Sequence, residues 1–156
     1  MTRRGPASVA AALAAGLALG CADETAIMVH VCFGPGAADG VTWVRLVVES
    51  DGRGATGKVF PFPSGATNID FSLRPGIELP ADEDIVLTVA GLGEGGDVIE
   101  SHAVRTRFAP GVDRDVAMTL EADCRGVACI GPEAPTCEGG TCVRVGEATA
   151  TSCAGD

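Results

Sequence analysis

The residues with the most informative types and spacing in this chain are its cysteines. The 156-residue sequence contains seven of them, and five fall after residue 123, separated by four, seven, four and ten intervening residues. In an exported protein, an odd number leaves one thiol that no intramolecular disulfide accounts for. Two chemistries are therefore expected, disulfide formation for six cysteines and another fate for the seventh. The full set is Cys21, Cys32, Cys124, Cys129, Cys137, Cys142 and Cys153.

The segment before Cys21 has the features of a leader that directs export. Arg3 and Arg4 precede an uncharged, Ala- and Leu-rich stretch that extends to Gly20. That stretch is shorter than the ~20 apolar residues that a membrane-spanning helix requires. A basic start, a short apolar run and small residues at its end are typical of a signal peptide. We predict a signal peptide at residues 1–20, with a buried N-terminal helix as the alternative.

Two peptidases are compatible with the end of this leader. Ala18 and Gly20 are the small residues that ordinary signal peptidase requires. The stretch LALGC, Leu17 to Cys21, also resembles the lipobox of bacterial lipoproteins, although Ala18 stands where leucine is commonest. The resemblance implies a diacylglycerol thioether on Cys21, a palmitate-type acyl chain on its amine, and a lipidated tether at residues 21–25. Cysteine counting agrees, because assigning Cys21 to lipid leaves an even six.

The same resemblance implies a destination in the cell envelope. Two or three acyl chains anchor a protein effectively for good, whereas one chain binds only marginally. In this family, aspartate directly after the lipidated cysteine often retains the protein in the inner membrane. Ala22 stands there instead, so the outer membrane is favoured, although Asp23 follows one place later.

Catalytic chemistry is poorly represented in the sequence. His30 and His102 are the only histidines, and both fall in predicted strands. No Gly-x-Ser-x-Gly nucleophile elbow is present, and Cys-x-x-Cys, the usual redox motif, is absent. We therefore interpret both histidines as residues on strand faces, assign no catalytic residue, and predict that the protein is not an enzyme.

Metal binding has two weak candidates. The acidic run at 82–84, Asp-Glu-Asp, clusters hard oxygen ligands, but it lacks the regular spacing of a calcium loop. Cysteine pairs with four intervening residues fall at the edge of the usual zinc spacing. Export and the lack of a nearby histidine favour disulfides over zinc. We predict no metal site and no cofactor.

Short alternating or apolar runs separated by Gly, Pro and Asp make up most of the chain after Thr25, and no long helical period occurs. This pattern predicts β-structure. Alternation also assigns a core face to each strand, because successive side chains point to opposite sides of a sheet. The predicted strands are 26–33, 42–49, 56–62, 67–73, 85–91, 98–108 and 114–121. The predicted core residues are Ile27, Val29, Val31, Phe33, Val44, Leu46, Val48, Ile69, Phe71, Leu73, Val116, Met118 and Leu120.

The last three of these strands resemble the closing part of bacterial immunoglobulin-like and transthyretin-like modules. The shared pattern is an apolar strand, a glycine hairpin, a second strand, the Pro110-Gly111 turn and a final V-x-M-x-L strand. The resemblance implies a seven-stranded antiparallel β-sandwich, which we place at residues 26–122. Residues 123–156 form a cysteine-rich tail that resembles, in style, epidermal-growth-factor-like or knottin-like modules.

The five tail cysteines are an odd number, so pairing of all six requires one of them to reach Cys32. In an immunoglobulin-like topology the first and last strands can run parallel, which places Cys32 and Cys124 at the same end. We predict a Cys32–Cys124 disulfide or, failing that, Cys32–Cys129.

Charge excludes one class of partner. The formal net charge is −10, and an acidic protein of this size repels phosphate backbones, so nucleic acid is not an expected partner. The chain lacks tyrosine and has one tryptophan, Trp43, so an aromatic platform for sugar stacking is also poorly supported. The sequence predicts a membrane-anchored, non-enzymatic module that binds an envelope protein or polymer or has a structural role. An exported enzyme or enzyme-accessory domain is the alternative.

Overall fold

The computed structural model describes residues 25–50, 54–76, 81, 83–130 and 135–153. The predicted signal peptide and Cys21 lie outside these residues. The all-β prediction is confirmed, since the described chain has ten strands and no α-helix. The first seven strands begin and end within two residues of the predicted positions. They are β1 (Ile27–Phe33), β2 (Trp43–Ser50), β3 (Gly54–Pro61), β4 (Asn68–Leu73), β5 (Asp84–Leu92), β6 (Val98–Arg107) and β7 (Arg114–Leu120).

Three further short strands come from the cysteine-rich tail, and they account for the difference between seven predicted strands and ten observed ones. A 3-10 turn at Ala122–Cys124 leads into the tail, where β8 (Thr136–Glu138) and β9 (Thr141–Val143) pair as an antiparallel hairpin. The last strand, β10 (Gly146–Glu147), joins the edge of a larger sheet. Segments this short carried no periodic signal in the sequence.

The strands form three sheets, with orders β4-β1-β7, β10-β6-β5-β2-β3 and β8-β9. In the three-stranded sheet, β1 pairs antiparallel with β4 and parallel with β7. The parallel pairing of the first and last long strands agrees with the expectation from the immunoglobulin-like pattern. In the five-stranded sheet, β2, β3, β5 and β6 are joined by antiparallel ladders, and β10 runs parallel to β6.

One hydrophobic core unites the inner faces of the two larger sheets. Most residues predicted to face the core are buried, including Ile27, Val44 and Met118, which are fully buried. Ile69 and Leu73 of β4 are only partly buried and pack against the periphery of the core. This incomplete burial sets β4 apart from β1 and β7, and it marks one side of the molecule as less covered than the other.

Two turns between strands contain glycines with positive φ values. Between β5 and β6, the Gly93 amide donates to the Asp97 carbonyl, and Gly96 has a φ of 82°. Between β6 and β7, Gly111 has a φ of 69°. Glycine adopts these positive φ values without the steric penalty of a Cβ atom.

Candidate functional site

The tail closes one side of the molecule by hydrogen-bonding to the outer edge of β6. The amide of Gly126 donates to the Ile99 carbonyl at 3.0 Å, and the Ala148 amide donates to the Arg105 carbonyl at 2.8 Å. Between them, the Thr136 hydroxyl oxygen accepts from the Ala103 amide at 2.7 Å. Exposed strand edges invite pairing with other chains, and native proteins commonly cover them. Three separate parts of the tail therefore cover the edge of β6.

The same tail also reaches the outer edge of β7. The Ala117 amide donates to the carbonyl of Ala150 at 2.9 Å. Residues 146–150 thus bond to β6 of one sheet and then to β7 of the other, and Ala148 packs against the core between them. We call this side of the molecule, bounded by β6 and β7, the closed seam. A segment that places the small side chain of Ala148 against the core fills it.

Three disulfides hold the tail in this position. They join Cys32 to Cys153, Cys124 to Cys137 and Cys129 to Cys142. Cys32 does join the tail, but the predicted partners Cys124 and Cys129 are wrong. After β7 the chain turns towards β6, where Gly126 bonds to Ile99, and this direction carries Cys124 away from β1. The tail returns to β1 only after it has passed the edge of β7, and this return brings Cys153 to Cys32.

The opposite side of the molecule, between β3 and β4, is open, and we call it the open seam. It contains a groove of about 490 Å³, which falls within the volume range typical of ligand pockets. Buried Leu46 and Val48 of β2 form its floor. The walls come from β3 and β4, and the rings of Phe60 and Phe71 meet across it with centroids 4.6 Å apart. The remaining lining residues are Thr56, Gly57, Lys58, Asp70, Ser72 and Leu73.

The groove exists because the five-stranded sheet extends beyond the three-stranded one. In the β2–β3 ladder, Lys58 lies opposite Leu46 and Thr56 lies opposite Val48, so both side chains are on the core-facing side of the sheet. Both are nevertheless exposed. A strand beside β4 would cover them, but within the described ranges β4 pairs with β1 alone and β3 with β2 alone.

The backbone groups at the free edge of β4 can be assigned from its ladder with β1. The Phe33 amide donates to the Thr67 carbonyl, so the bonded pairs continue at every second residue. The intervening residues therefore direct their amide and carbonyl groups away from β1, towards the open seam. These residues are Asn68, Asp70 and Ser72. Backbone donors and acceptors without partners at such an edge can bind an added strand.

Lys58 is the cation of the open seam, and no carboxylate of the described residues lies within ion-pairing distance of it. Strand alternation in the sequence already places its side chain on the same face as Phe60. Whether another strand covers this face depends on the order of strands in the sheets, so sequence alone does not identify Lys58 as a site residue. The clue available was the alternation Thr56, Lys58, Phe60, in which a charge interrupts an otherwise inward-facing set.

His30 joins the three strands of the smaller sheet on its outer surface. Its Nδ1 lies 2.9 Å from Oδ1 of Asp70 on β4, and its Nε2 lies 3.1 Å from Oδ1 of Asp115 on β7. Hydrogen bonds to Asp115 and then to Asp70 raise the pKa of His30 above 6.5, because they favour the charged imidazolium. Both ring nitrogens face carboxylates, so neither is directed at a hydroxyl nucleophile.

The other sequence candidates are dispersed. Nδ1 of His102 lies 3.2 Å from the carbonyl oxygen of Cys137, which explains its position beneath the tail. Asp84 forms an ion pair with Arg107, with an Nε–Oδ1 distance of 3.2 Å, and Asp82 lies outside the described residues. No group of three His, Cys, Asp or Glu side chains in the described chain has a geometry suited to a metal ion.

A buried carboxylate lies beneath the closed seam. Glu100 of β6 is 2% exposed, and neither carboxylate oxygen has a hydrogen-bond partner in the part of the chain that the structure describes. It lies beside Gly91, where the missing side chain leaves it room. Burial raises the pKa of Glu100 to about 7, although the charge of Arg125 opposes the shift. Arg125 itself donates a hydrogen bond to the Asp39 carbonyl.

Comparison with known proteins gives this chain no relative. No protein-family model, no curated protein and no solved structure matches it. Among the described residues, no helix is long and apolar enough to cross a membrane.

Proposed function

We propose that this protein is a lipid-anchored, non-enzymatic binding module of the cell envelope, and that the open seam is its binding surface. In this proposal, Cys21 carries the acyl chains and the outer membrane is the favoured destination. The two larger sheets form a β-sandwich of the immunoglobulin-like or transthyretin-like kind, built on the seven long strands. The tail is an extension that completes one side of this sandwich.

The groove between β3 and β4 is the observation that carries the binding function. It combines an apolar floor, two aromatic rings and Lys58, which has no carboxylate partner among the described residues, with an outer edge of β4 that no described strand covers. A large exposed apolar surface in a soluble domain usually marks a binding site. The cysteine-rich tail is a weaker candidate for the binding surface, because its backbone already bonds to β6 and β7.

The anchor is tested by substitution at the proposed lipidation site. Cys21→Ala should release the protein from membranes into the soluble fraction, while the wild-type protein stays with the membrane pellet. Intact mass spectrometry of membrane-extracted wild-type protein should show cleavage before Cys21, added acyl mass and three disulfides. Unchanged membrane association of Cys21→Ala, with no acyl mass on the wild type, would refute the anchor.

The binding surface is tested by photo-crosslinking in living cells. A photo-reactive amino acid in place of Thr56 lies in the groove, whereas one in place of Val59 lies on the opposite face of the same strand. Val59 is 52% exposed, so its position is a matched control for accessibility. Adducts from position 56 that are absent at position 59 support the proposal. Equal yields at both positions, or none at either, contradict it.

A further inference from the structure

The open seam has the form of a sheet that lacks one strand. Three strands of the smaller sheet face five of the larger one, and the core-facing residues Thr56 and Lys58 of β3 are left exposed. A strand added beside β4 would lie over these two residues. It would also meet the outward backbone groups of Asp70 and Ser72, which the β1–β4 ladder leaves unused.

The closed seam shows which kind of segment fills such a gap in this molecule. There, residues 146–150 run extended between the two sheets, bond to β6 and β7, and place Ala148 against the core. No folded domain or bulky ligand is needed, because one strand satisfies both the backbone groups and the apolar space. The open seam presents the same two requirements on the opposite side.

We propose that the open seam binds an extended peptide segment of a partner protein, which adds to β4 as a fourth strand. The inference rests on the proposed binding function and specifies the ligand class. Most inward side chains of the peptide are apolar and lie against Phe60 and Leu73. One of the inward residues is acidic and pairs with Lys58.

Charge complementarity selects this occupant over a second copy of the chain. Lys58 is the one charged side chain of β3, and no carboxylate of the described residues pairs with it, so an acidic residue of the ligand supplies the missing partner. Two copies of a chain with a formal net charge of −10 repel each other as they approach. A short peptide with a single acidic residue can bind next to Lys58 without this repulsion between two strongly acidic chains.

The test uses synthetic peptides with the full-length chain, expressed with its own leader and extracted in detergent. Each fluorescein-labelled decapeptide alternates valine and threonine, and three versions place one glutamate at successive inward positions, so that together they cover the register. Matched peptides carry glutamine in place of glutamate, or proline in place of both a central valine and the threonine next to it. Fluorescence anisotropy gives the dissociation constant for each.

At least one glutamate peptide should bind, and its proline version should not, because one of its two prolines removes an amide that bonds to β4 whichever way the peptide runs. Lys58→Glu should lower the affinity for the glutamate peptide at least tenfold and change the affinity for the glutamine peptide less than twofold. A peptide with lysine in place of its glutamate should bind the Lys58→Glu variant. Ser72→Pro, which removes an outward amide of β4 that β1 does not use, should abolish binding of every peptide. Val59→Thr is the control on the opposite face and should leave all affinities unchanged.

Three results would overturn the inference. Binding that is equal for the glutamate peptide and its proline version would exclude strand addition. If Lys58→Glu leaves the affinity for the glutamate peptide unchanged, the acidic residue of the peptide does not pair with Lys58. A dimer of the unliganded chain in sedimentation equilibrium that Lys58→Glu or Ser72→Pro dissociates would assign the seam to a second copy. Groove-specific crosslinks in cells together with no peptide binding would retain the proposed binding function and reject only the peptide ligand.

Discussion

The two sides of this molecule differ in whether another segment of the described chain covers the edges of their strands. On the closed seam, the edges of β6 and β7 are bonded by the tail, and Cys153 is linked to Cys32 of β1. On the open seam, β3 and β4 each keep a free edge in the part of the chain that the structure describes. Within the described residues, the tail covers strand edges on one side of the molecule and no segment covers them on the other. We interpret the uncovered side as the functional one.

Detaching the tail from the closed seam should have the largest effect on stability. The Cys32–Cys153 disulfide spans a sequence separation of 121 residues, for which the chain-entropy model gives a stabilisation of about 5 kcal/mol. Cys32→Ser with Cys153→Ser should therefore lower the free energy of unfolding by about 4–5 kcal/mol in urea denaturation. The double substitution leaves no odd thiol.

A matched control is the double substitution of Cys129 and Cys142 by serine. That disulfide spans a separation of 13 residues, so the same model gives about 3 kcal/mol. The first variant should also speed hydrogen exchange at the Ala117 amide, which the tail covers, whereas the control should affect it less. An unchanged exchange rate at Ala117 in the Cys32/Cys153 variant would contradict the tail's role at β7.

Glu100 provides a pH test of the closed seam. Its pKa is raised from 4.5 to about 7 in the folded protein, so the folded state binds the proton more tightly than the unfolded state does. Stability from this group is fully present below pH 4.5 and is lost as the pH rises through about 7. The loss is on the order of 3 kcal/mol.

Glu100→Gln should flatten this pH dependence while retaining the side-chain shape, as measured by urea denaturation between pH 4.5 and 8. Glu94→Gln, in the exposed turn between β5 and β6, is the control and should retain the wild-type profile. A wild-type stability that rises between pH 4.5 and 7 and is unaffected by Glu100→Gln would show that the carboxylate is solvated.

Thr136→Val tests a single contact that covers β6. The hydroxyl of Thr136 is buried and accepts from the Ala103 amide at 2.7 Å, so valine leaves a buried donor without a partner. The expected cost is about 1–2 kcal/mol of unfolding free energy. Thr136→Ser keeps the hydroxyl and should cost less. Equal losses for serine and valine would assign the effect to packing alone.

The smallest expected effect is at His30, which links β4 of the open seam to β7 of the closed seam. Its pKa is raised above 6.5, so its stabilising contribution is present below pH 6.5 and is lost as the pH rises through the raised value. Asp70 and Asp115 are 55% and 56% exposed, and solvent screening keeps the contribution small. A proton NMR titration should show the His30 pKa falling towards 6.5 in Asp115→Asn and Asp70→Asn. A wild-type pKa at or below 6.5 would contradict the contacts.

Strand alternation made most of the β-structure and core predictable from sequence. The burial of Ile27, Val29 and Val31 on one face of β1 follows from the two-residue period of a strand alone. Cysteine parity also required a bond between Cys32 and the tail. The partner was wrong because connectivity depends on the path of the chain after β7, and glycine-rich segments with few apolar residues give no signal for that path.

The open seam was not predictable for a different reason. The sequence places Lys58 on an inward face, but whether another strand covers that face depends on how many strands each sheet contains and on their order. Glu100 illustrates the same limit, since its burial depends on the tail crossing β6 and on the space beside Gly91. Both features are set by contacts between segments that are distant in sequence.

Amide hydrogen exchange of the unliganded, full-length protein distinguishes the open seam from the closed seam. The amides of Asp70 and Ser72 face the open seam, whereas those of Ala103 and Ala117 are bonded by the tail. We predict exchange close to the unprotected rate for the first pair and strong protection for the second. Strong protection of Asp70 and Ser72 in the free protein would show that the edge of β4 is already covered, and would contradict the open seam.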